Sequence, residues 1–288
     1  MQAKSFALLA GALVLVSSLV GCVVGLRNFQ AEDARKPQRL AATAADAADR
    51  LDVDATVVGV DAQHGLVRLQ LAVHPQGRLL RAGTRELATD LELLTNAAQG
   101  PRALLLQRGH VPHGVDIALD LTDGDIAWYP LDRYRAGLEL EARHTGADAQ
   151  PVPLRVNFLS RQHGMHVDAE VEVDPGSTSA ELDIGLSLAR PGVAHGFAWF
   201  MHGLMLAVGA SAFIVAFHIA FRNKKPEGPL LVWMSALLFV LPAFRNMLPG
   251  NPPLGVLGDY LVFFWVEGVV ALCLLVTVLT WSRRGTAG

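Results

Sequence analysis

Four stretches of the chain are almost free of charge: 6–26, 196–221, 229–248 and 257–281. Each reaches about 20 residues, enough for a helix to cross a hydrocarbon core of about 30 Å. A segment in that solvent must be helical, because a helix satisfies its own backbone donors and acceptors. Between the first and second stretches the chain is ordinary and polar. Past Leu51 it alternates: Val67, Leu69, Leu71 and Val73; Val115, Ile117, Leu119 and Leu121; Val167, Ala169, Val171 and Val173; Leu182, Ile184, Leu186 and Leu188. A period of two marks strands with one buried face. Asp123-Gly124, Pro151 with Pro153, and Pro175-Gly176 supply turns between them. The pattern predicts an antiparallel β-sandwich-like domain over 51–195, set between one N-terminal and three C-terminal transmembrane helices. The connector at 27–50 is rich in alanine and charge, and 41–48 has the composition of a short helix or stalk.

Composition alone leaves the class open. The 288 residues are 51% hydrophobic with a net charge of -3, values that a soluble protein can share. The uneven distribution along the chain decides for a membrane protein, with the lipid bilayer as its first partner. The charge carries no basic stripe and so no sign of nucleic acid. Neither cysteine, Cys22 or Cys273, falls in the polar domain, so its stability must come from packing rather than from disulfides.

Charge also sets an orientation. Arg222, Lys224 and Lys225 follow the second apolar stretch, and Arg283 and Arg284 follow the fourth. Positive charge in short loops marks the cytoplasmic side. This puts residues 1–5, the loop 222–228 and the tail 282–288 inside. The domain and the loop 249–256 lie outside a plasma (inner) membrane. Before the first stretch stands only Lys4, while Arg27, Arg35, Lys36 and Arg39 follow it. That local count points the other way, but charges ahead of a long domain translocate more freely. Leu19-Val20-Gly21-Cys22 also resembles a lipoprotein processing site, with Cys22 as the lipidated residue. The apolar run continues to Leu26, which favours an uncleaved anchor. Both readings leave the domain outside.

Two further stretches are distinctive. One is Tyr129-Pro130-Leu131-Asp132-Arg133-Tyr134. The other is Leu241-Pro242-Ala243-Phe244-Arg245-Asn246, followed by Pro249-Gly250-Asn251-Pro252-Pro253-Leu254-Gly255, Asp259, and Phe263-Phe264-Trp265-Val266-Glu267. With the one-plus-three helix layout, they resemble the bacterial domain-of-unknown-function 4436 family. The resemblance covers most of the chain and departs from the family at Leu131, where phenylalanine is usual. It implies a multi-pass membrane protein and no particular reaction. The Pro-Leu-Asp core is also similar to the Phe-Pro-Phe-Asp turn of pentameric ligand-gated channels. Those channels carry four helices after the domain, and no polar pore-lining helix occurs here.

Candidate chemistry is sparse. In the 129–134 turn, Pro130 fixes φ and holds Tyr129 extended. Asp132 can accept from backbone amides or pair with Arg133. Tyr129 and Tyr134 can pack with their hydroxyls wet. A structural corner is the plainer role for this turn, and contact with the helices or a partner is the functional one. Among the apolar stretches, His202, Arg245 and Glu267 are expected to form an intramembrane polar cluster with Asp259 at its rim. Charges in a bilayer core are costly unless paired, protonated or wet. The cluster serves either as glue between helices or as a proton- or ligand-responsive site. His110 with His113, and His163 with His166, lie in strand or loop sequence where positions three apart face opposite ways. No cysteine or carboxylate completes a zinc set, so no metal is expected. Asp120, Asp123 and Asp125 read as an Asp-Gly hairpin rather than a calcium loop. No nucleotide, nucleophile-elbow or zincin motif occurs, so no catalytic residue and no cofactor are expected. The sequence therefore predicts a non-enzymatic binding, sensing or scaffolding protein of the envelope, with an oligomeric transporter or channel subunit as the alternative. A homo-oligomer or a membrane-protein partner fits either.

Overall fold

The computed structural model describes residues 47–146, 149–160, 164–172, 181–222 and 227–285, with Gln38–Ala41 and scattered positions between 21 and 30. The chain divides into two compact units, Met1–Pro37 and Gln38–Gly288. The expected first membrane helix at 6–26, apart from helical backbone at Gly21, Val23, Gly25, Leu26 and Arg27, lies outside the described residues. So do Cys22, His163, the turn at Pro175-Gly176, and the loop residues 223–226.

Among the described residues, ten strands form two sheets. The first sheet holds β1 (Gln38–Ala41), β8 (Leu154–Ser160), β2 (Leu51–Asp61), β3 (Leu66–Pro75) and β6 (Val115–Asp120), in that order. The second holds β5 (Ala103–Leu106), β4 (Leu91–Thr95), β7 (Arg133–His144), β10 (Glu181–Ala189) and β9 (His166–Glu172). Alternation drives both. In β2, Leu51, Val53, Ala55 and Val57 are fully buried, and in β7 Tyr134, Ala136, Leu138, Leu140 and Ala142 all point inward. These inner faces share one hydrophobic core with β3, β4, β8 and β10.

Three features differ from the sequence expectation. The sheets are mostly antiparallel, but β2 and β8 run parallel, because β8 enters the first sheet from the far edge rather than by a hairpin. The connector contributes a strand: β1 pairs antiparallel with β8, whose second edge would otherwise offer unpaired backbone groups. Asp123-Gly124 is not a two-residue hairpin. It starts the crossover from β6 in the first sheet to β7 in the second. Gly124 is held at φ +113°, with Arg133 and Tyr134 packed where a Cβ would project, so only glycine fits that corner.

Among the described residues, three helices follow: α1 (Gly192–Phe221), α2 (Gly228–Asn246) and α3 (Phe264–Gly285), the last preceded by a π turn at Asp259–Phe263. The first starts earlier than the expected 196, since Pro191 ends β10's extended backbone and serves as the N-cap. The second ends before the expected 248, whereas helical backbone begins at the expected 257 and passes into the π turn at Asp259. Each is long and apolar enough to cross a membrane. Their outward faces carry exposed Phe200, Phe213, Val232, Phe239, Trp265 and Leu272, an apolar exterior too large for a water-facing bundle. Three contacts give the packing. Gly258 lies against His202, Gly209 against Val266, and Ala216 clusters with Cys273. The matching order along the two segments makes α1 and α3 parallel neighbours. At Gly209 an added Cβ would stand 2.7 Å from Val266 Cγ1, so the small residue is what lets the two helices approach.

Candidate functional site at the junction of domain and helices

β7 and β10 pair antiparallel with Arg133 opposite Ala189. The next residues outward, Asp132 and Arg190, therefore face one another at the end of the sheet, where the chain passes into α1. Arg190 Nε donates to Asp132 Oδ1 at 2.6 Å, and both side chains are almost wholly buried. Asp132 Oδ2 accepts from the Tyr134 hydroxyl at 2.8 Å. Arg190 Nη1 donates to Pro249 O at 3.3 Å, in the loop after α2. The guanidinium lies 4.4 Å above the Tyr129 ring, a cation–π contact strengthened by desolvation. One arginine thus touches the domain turn, the last strand and the interhelical loop.

Tyr129 is the wedge. Asp125 caps a single 3-10 turn, Ile126–Trp128, by accepting from the Ala127 amide at 2.8 Å. The Tyr129–Pro130 peptide bond is cis. The Tyr129 ring is fully buried in a cluster with Ala198 and Met201 of α1 and Leu248 and Val256 of the loop. Its hydroxyl has no hydrogen-bond partner among the described residues. Burial pushes its phenol up to about 12, opposed by the Arg190 charge and reinforced by Asp132. Tyr134 is raised as well, first by burial and then by its bond to Asp132. Of the turn residues singled out from sequence, Tyr129, Asp132 and Tyr134 meet here. Arg133 points outward at the start of β7, and Asp132 pairs with Arg190 in its place. Neighbouring Trp128 and Leu131 are 61% and 52% exposed.

A second ion pair fixes the loop between α2 and α3. Arg245 Nε reaches Asp259 Oδ1 at 3.0 Å, and Nη2 reaches Oδ2 at 2.8 Å. Arg245 also donates to the carbonyls of Pro252 and Pro253, and Asp259 Oδ2 accepts from the Gly255 amide at 2.8 Å. Asp259, expected at a rim, is fully buried and is Arg245's direct partner, because the π turn directs it inward with Val262 and Phe263. Gln63 Nε2, on the β2–β3 turn, donates to Asn251 O at 2.9 Å and ties the same loop to the domain.

His202 Nδ1 lies 2.6 Å from Ala198 O. A carbonyl only accepts, so Nδ1 carries the proton. Its Nε2 is buried without a partner and faces Gly258, where a Cβ would stand 2.5 Å away. Glu267 makes no ion pair among the described residues, and its Oε2 is buried without a hydrogen bond. The expected four-residue cluster therefore resolves into an Arg245–Asp259 pair, a histidine beside it on the π-turn side, and a separate glutamate. Sequence reasoning missed Arg190 and Gln63. Arg190 carried a signal: it is the last charge before a long apolar stretch, and it sits immediately before a helix-starting proline.

These features suggest a membrane protein: a β-rich domain joined, at the buried Asp132–Arg190 pair, to three helices long and apolar enough to cross a membrane. Residues 41–186 match the model of a domain of unknown function (DUF4436), and residues 190–284 match that of a second domain of unknown function (DUF8686). The chain belongs to the domain-of-unknown-function 4436 family. No curated protein matches it. The first match ends at residue 186 and the second begins at Arg190, at the passage from the β-rich part into the helices.

Proposed function

We propose that this is a non-enzymatic, multi-pass protein of the plasma membrane, whose extracytoplasmic β-sandwich binds, senses or scaffolds at the cell envelope and is coupled rigidly to its helices. The observation that carries this reading is the Asp132–Arg190–Tyr129 junction. Buried ion pairs are expensive to desolvate, and this one stands where the last strand passes into the first of the three apolar helices. Both Asp132 oxygens and both Asp259 oxygens are taken by protein donors, which favours structural coupling over acid–base work. The parallel α1 and α3 end on the side carrying Arg222, Arg283 and Arg284, opposite the loop that meets the domain. This supports a cytoplasmic bundle end and an outer domain. Sided labelling tests it. A membrane-impermeant thiol reagent applied to intact cells should label Arg108→Cys in the domain and leave Ser282→Cys unlabelled. The reverse pattern would overturn the orientation.

The alternative, an oligomeric transporter or channel subunit, is favoured by one observation, the unpaired Oε2 of Glu267 buried in the bundle. A Glu267→Gln variant that assembles and functions as the parent does would remove it.

A further inference from the structure

A cavity of about 340 Å³ opens beside the junction. Its wall comes from the end of β2 and the β2–β3 turn, from Arg68 on β3, from Ile126, from the Gly164-Met165 loop before β9, and from Arg190 and Gly250. The volume lies at the lower end of the range for small-molecule sites, about 300–1,000 Å³. We propose that this cavity holds the anionic headgroup of a phospholipid from the leaflet on the domain's side, with its phosphate between Arg68 and Arg190.

Four observations carry it. The first is charge. Asp61 is the one carboxylate lining the cavity, and it is held by His64, through the backbone amide at 3.1 Å and Nδ1 at 2.9 Å. Asp132 is held by Arg190 and Tyr134. Arg68 makes no hydrogen bond or ion pair among the described residues, so the cavity keeps an uncompensated cation. The second is donor geometry. Arg190 is 6% exposed and uses Nε and Nη1 on Asp132 and Pro249, which leaves Nη2 for a ligand. A guanidinium already held in place loses little entropy on binding a phosphate. The third is the wall itself. Gly59, Gly164 and Gly250 leave backbone exposed there, and Gly250 has φ +79° with a virtual Cβ 2.7 Å from Arg190 Nη1. A side chain at Gly250 would close the approach to the guanidinium.

The fourth observation separates a lipid from a soluble anion. Arg190 stands two residues before the first turn of α1, and the cavity floor is the loop between two membrane helices. Ile126 in the wall shares its 3-10 turn with exposed Trp128, and Leu131 is exposed just beyond it. Phe197 and Phe200 are exposed on the first turns of α1. Tryptophan and apolar residues at this level are interfacial anchors, and they offer the acyl chains a surface that continues from the headgroup site. The cavity is thus lined by the residue that leads into α1 and by the loop after α2, with exposed apolar side chains on the neighbouring turn and on the first turns of α1.

The site rests on the reading of the helices as membrane-spanning, but not on which side the domain faces. The full chain is placed in nanodiscs of equal phosphatidylcholine and phosphatidylglycerol, released into detergent, and weighed with its retained lipids by native mass spectrometry. The expected result is one retained phosphatidylglycerol per chain, enriched over phosphatidylcholine. Arg68→Glu should lower that retention by about tenfold or more, as expected for reversing a charge that contacts an anion. Arg108→Glu, far along the domain, should leave it unchanged, and excess inorganic phosphate should not displace the lipid. Arg68 is exposed, so its substitution leaves folding intact. Equal retention in Arg68→Glu, no enrichment of phosphatidylglycerol, or displacement by inorganic phosphate would each overturn the proposal. Inverted sided labelling with this retention intact would overturn only the orientation.

Discussion

Arg190 Nε and Asp132 Oδ1 stand 2.6 Å apart in the buried seam between the last strand and α1. Their meeting follows from strand register: Arg133 opposite Ala189 puts Asp132 and Arg190 opposite each other one step further on. Removing one partner strands a buried charge, so Asp132→Ala should destabilise the full chain by about 3–5 kcal/mol. The double variant Asp132→Leu with Arg190→Met should recover much of that loss. Thermal unfolding in one detergent, arranged as a double-mutant cycle, measures the coupling.

Tyr129 separates packing from polarity at one position. Its ring fills space among Ala198, Met201, Leu248 and Val256, while its hydroxyl bonds to nothing. Tyr129→Ala should cost about 3–5 kcal/mol through the cavity it leaves. Tyr129→Phe should be neutral or slightly stabilising at neutral pH, because it deletes an unsatisfied polar atom. Unfolding midpoints of the two variants check this contrast.

Alkaline pH should act through the same residue. The folded value near 12 lies above an unfolded value of about 10, so the folded state keeps a proton that the unfolded state gives up. The stability this contributes is full below about 10 and is lost as pH rises through about 12. Tyr129→Phe should show a shallower loss across that window, read from chemical unfolding at stepped pH.

Gly258 and His202 make a steric prediction. The imidazole is held by its bond to Ala198 O and cannot swing away freely, so a methyl group at Gly258 collides with Nε2. Gly258→Ala should destabilise by about 1–3 kcal/mol, and His202→Ala in the same chain should relieve most of the clash. Additive losses in the cycle would separate the two residues energetically.

Arg245 and Asp259 hold the loop that the domain contacts. Asp259→Asn keeps the shape but removes the charge that orients Arg245, and the two proline carbonyls lose their organised donor. Amides of residues 247–258 should exchange faster in hydrogen-exchange mass spectrometry, with β2 and β3 unaffected.

The strands at 67–73, 115–121 and 182–188 were legible because large aliphatic residues alternate without interruption. β7 and β2 were harder to read, since Ala136, Ala142 and Ala55 dilute the same period. β1 lay hidden in an alanine-rich stretch, because its pairing is dictated by the free edge of β8 and not by local preference. The three C-terminal helices were plain from length and lack of charge. The polar residues inside them were visible one by one, but their partners were not. Spacing along the helices groups Arg245 with His202 and Glu267 and leaves Asp259 at the rim, whereas the π turn brings Asp259 inward as Arg245's partner. Local sequence offers Asp132 only nearby backbone amides or Arg133, whereas strand register supplies Arg190 from 58 positions away. Periodicity fixes which face a residue takes, and the contacts between distant elements depend on register and turns that it does not encode.

Coupling between domain and helices is tested most directly by hydrogen exchange on the full chain in nanodiscs, comparing the parent with Tyr129→Ala. A single side chain lost from the β-domain should deprotect amides in the first turns of α1, at 195–202, and in the loop at 247–258. Deprotection confined to 121–135 would contradict a rigid junction and leave the domain merely tethered to its helices.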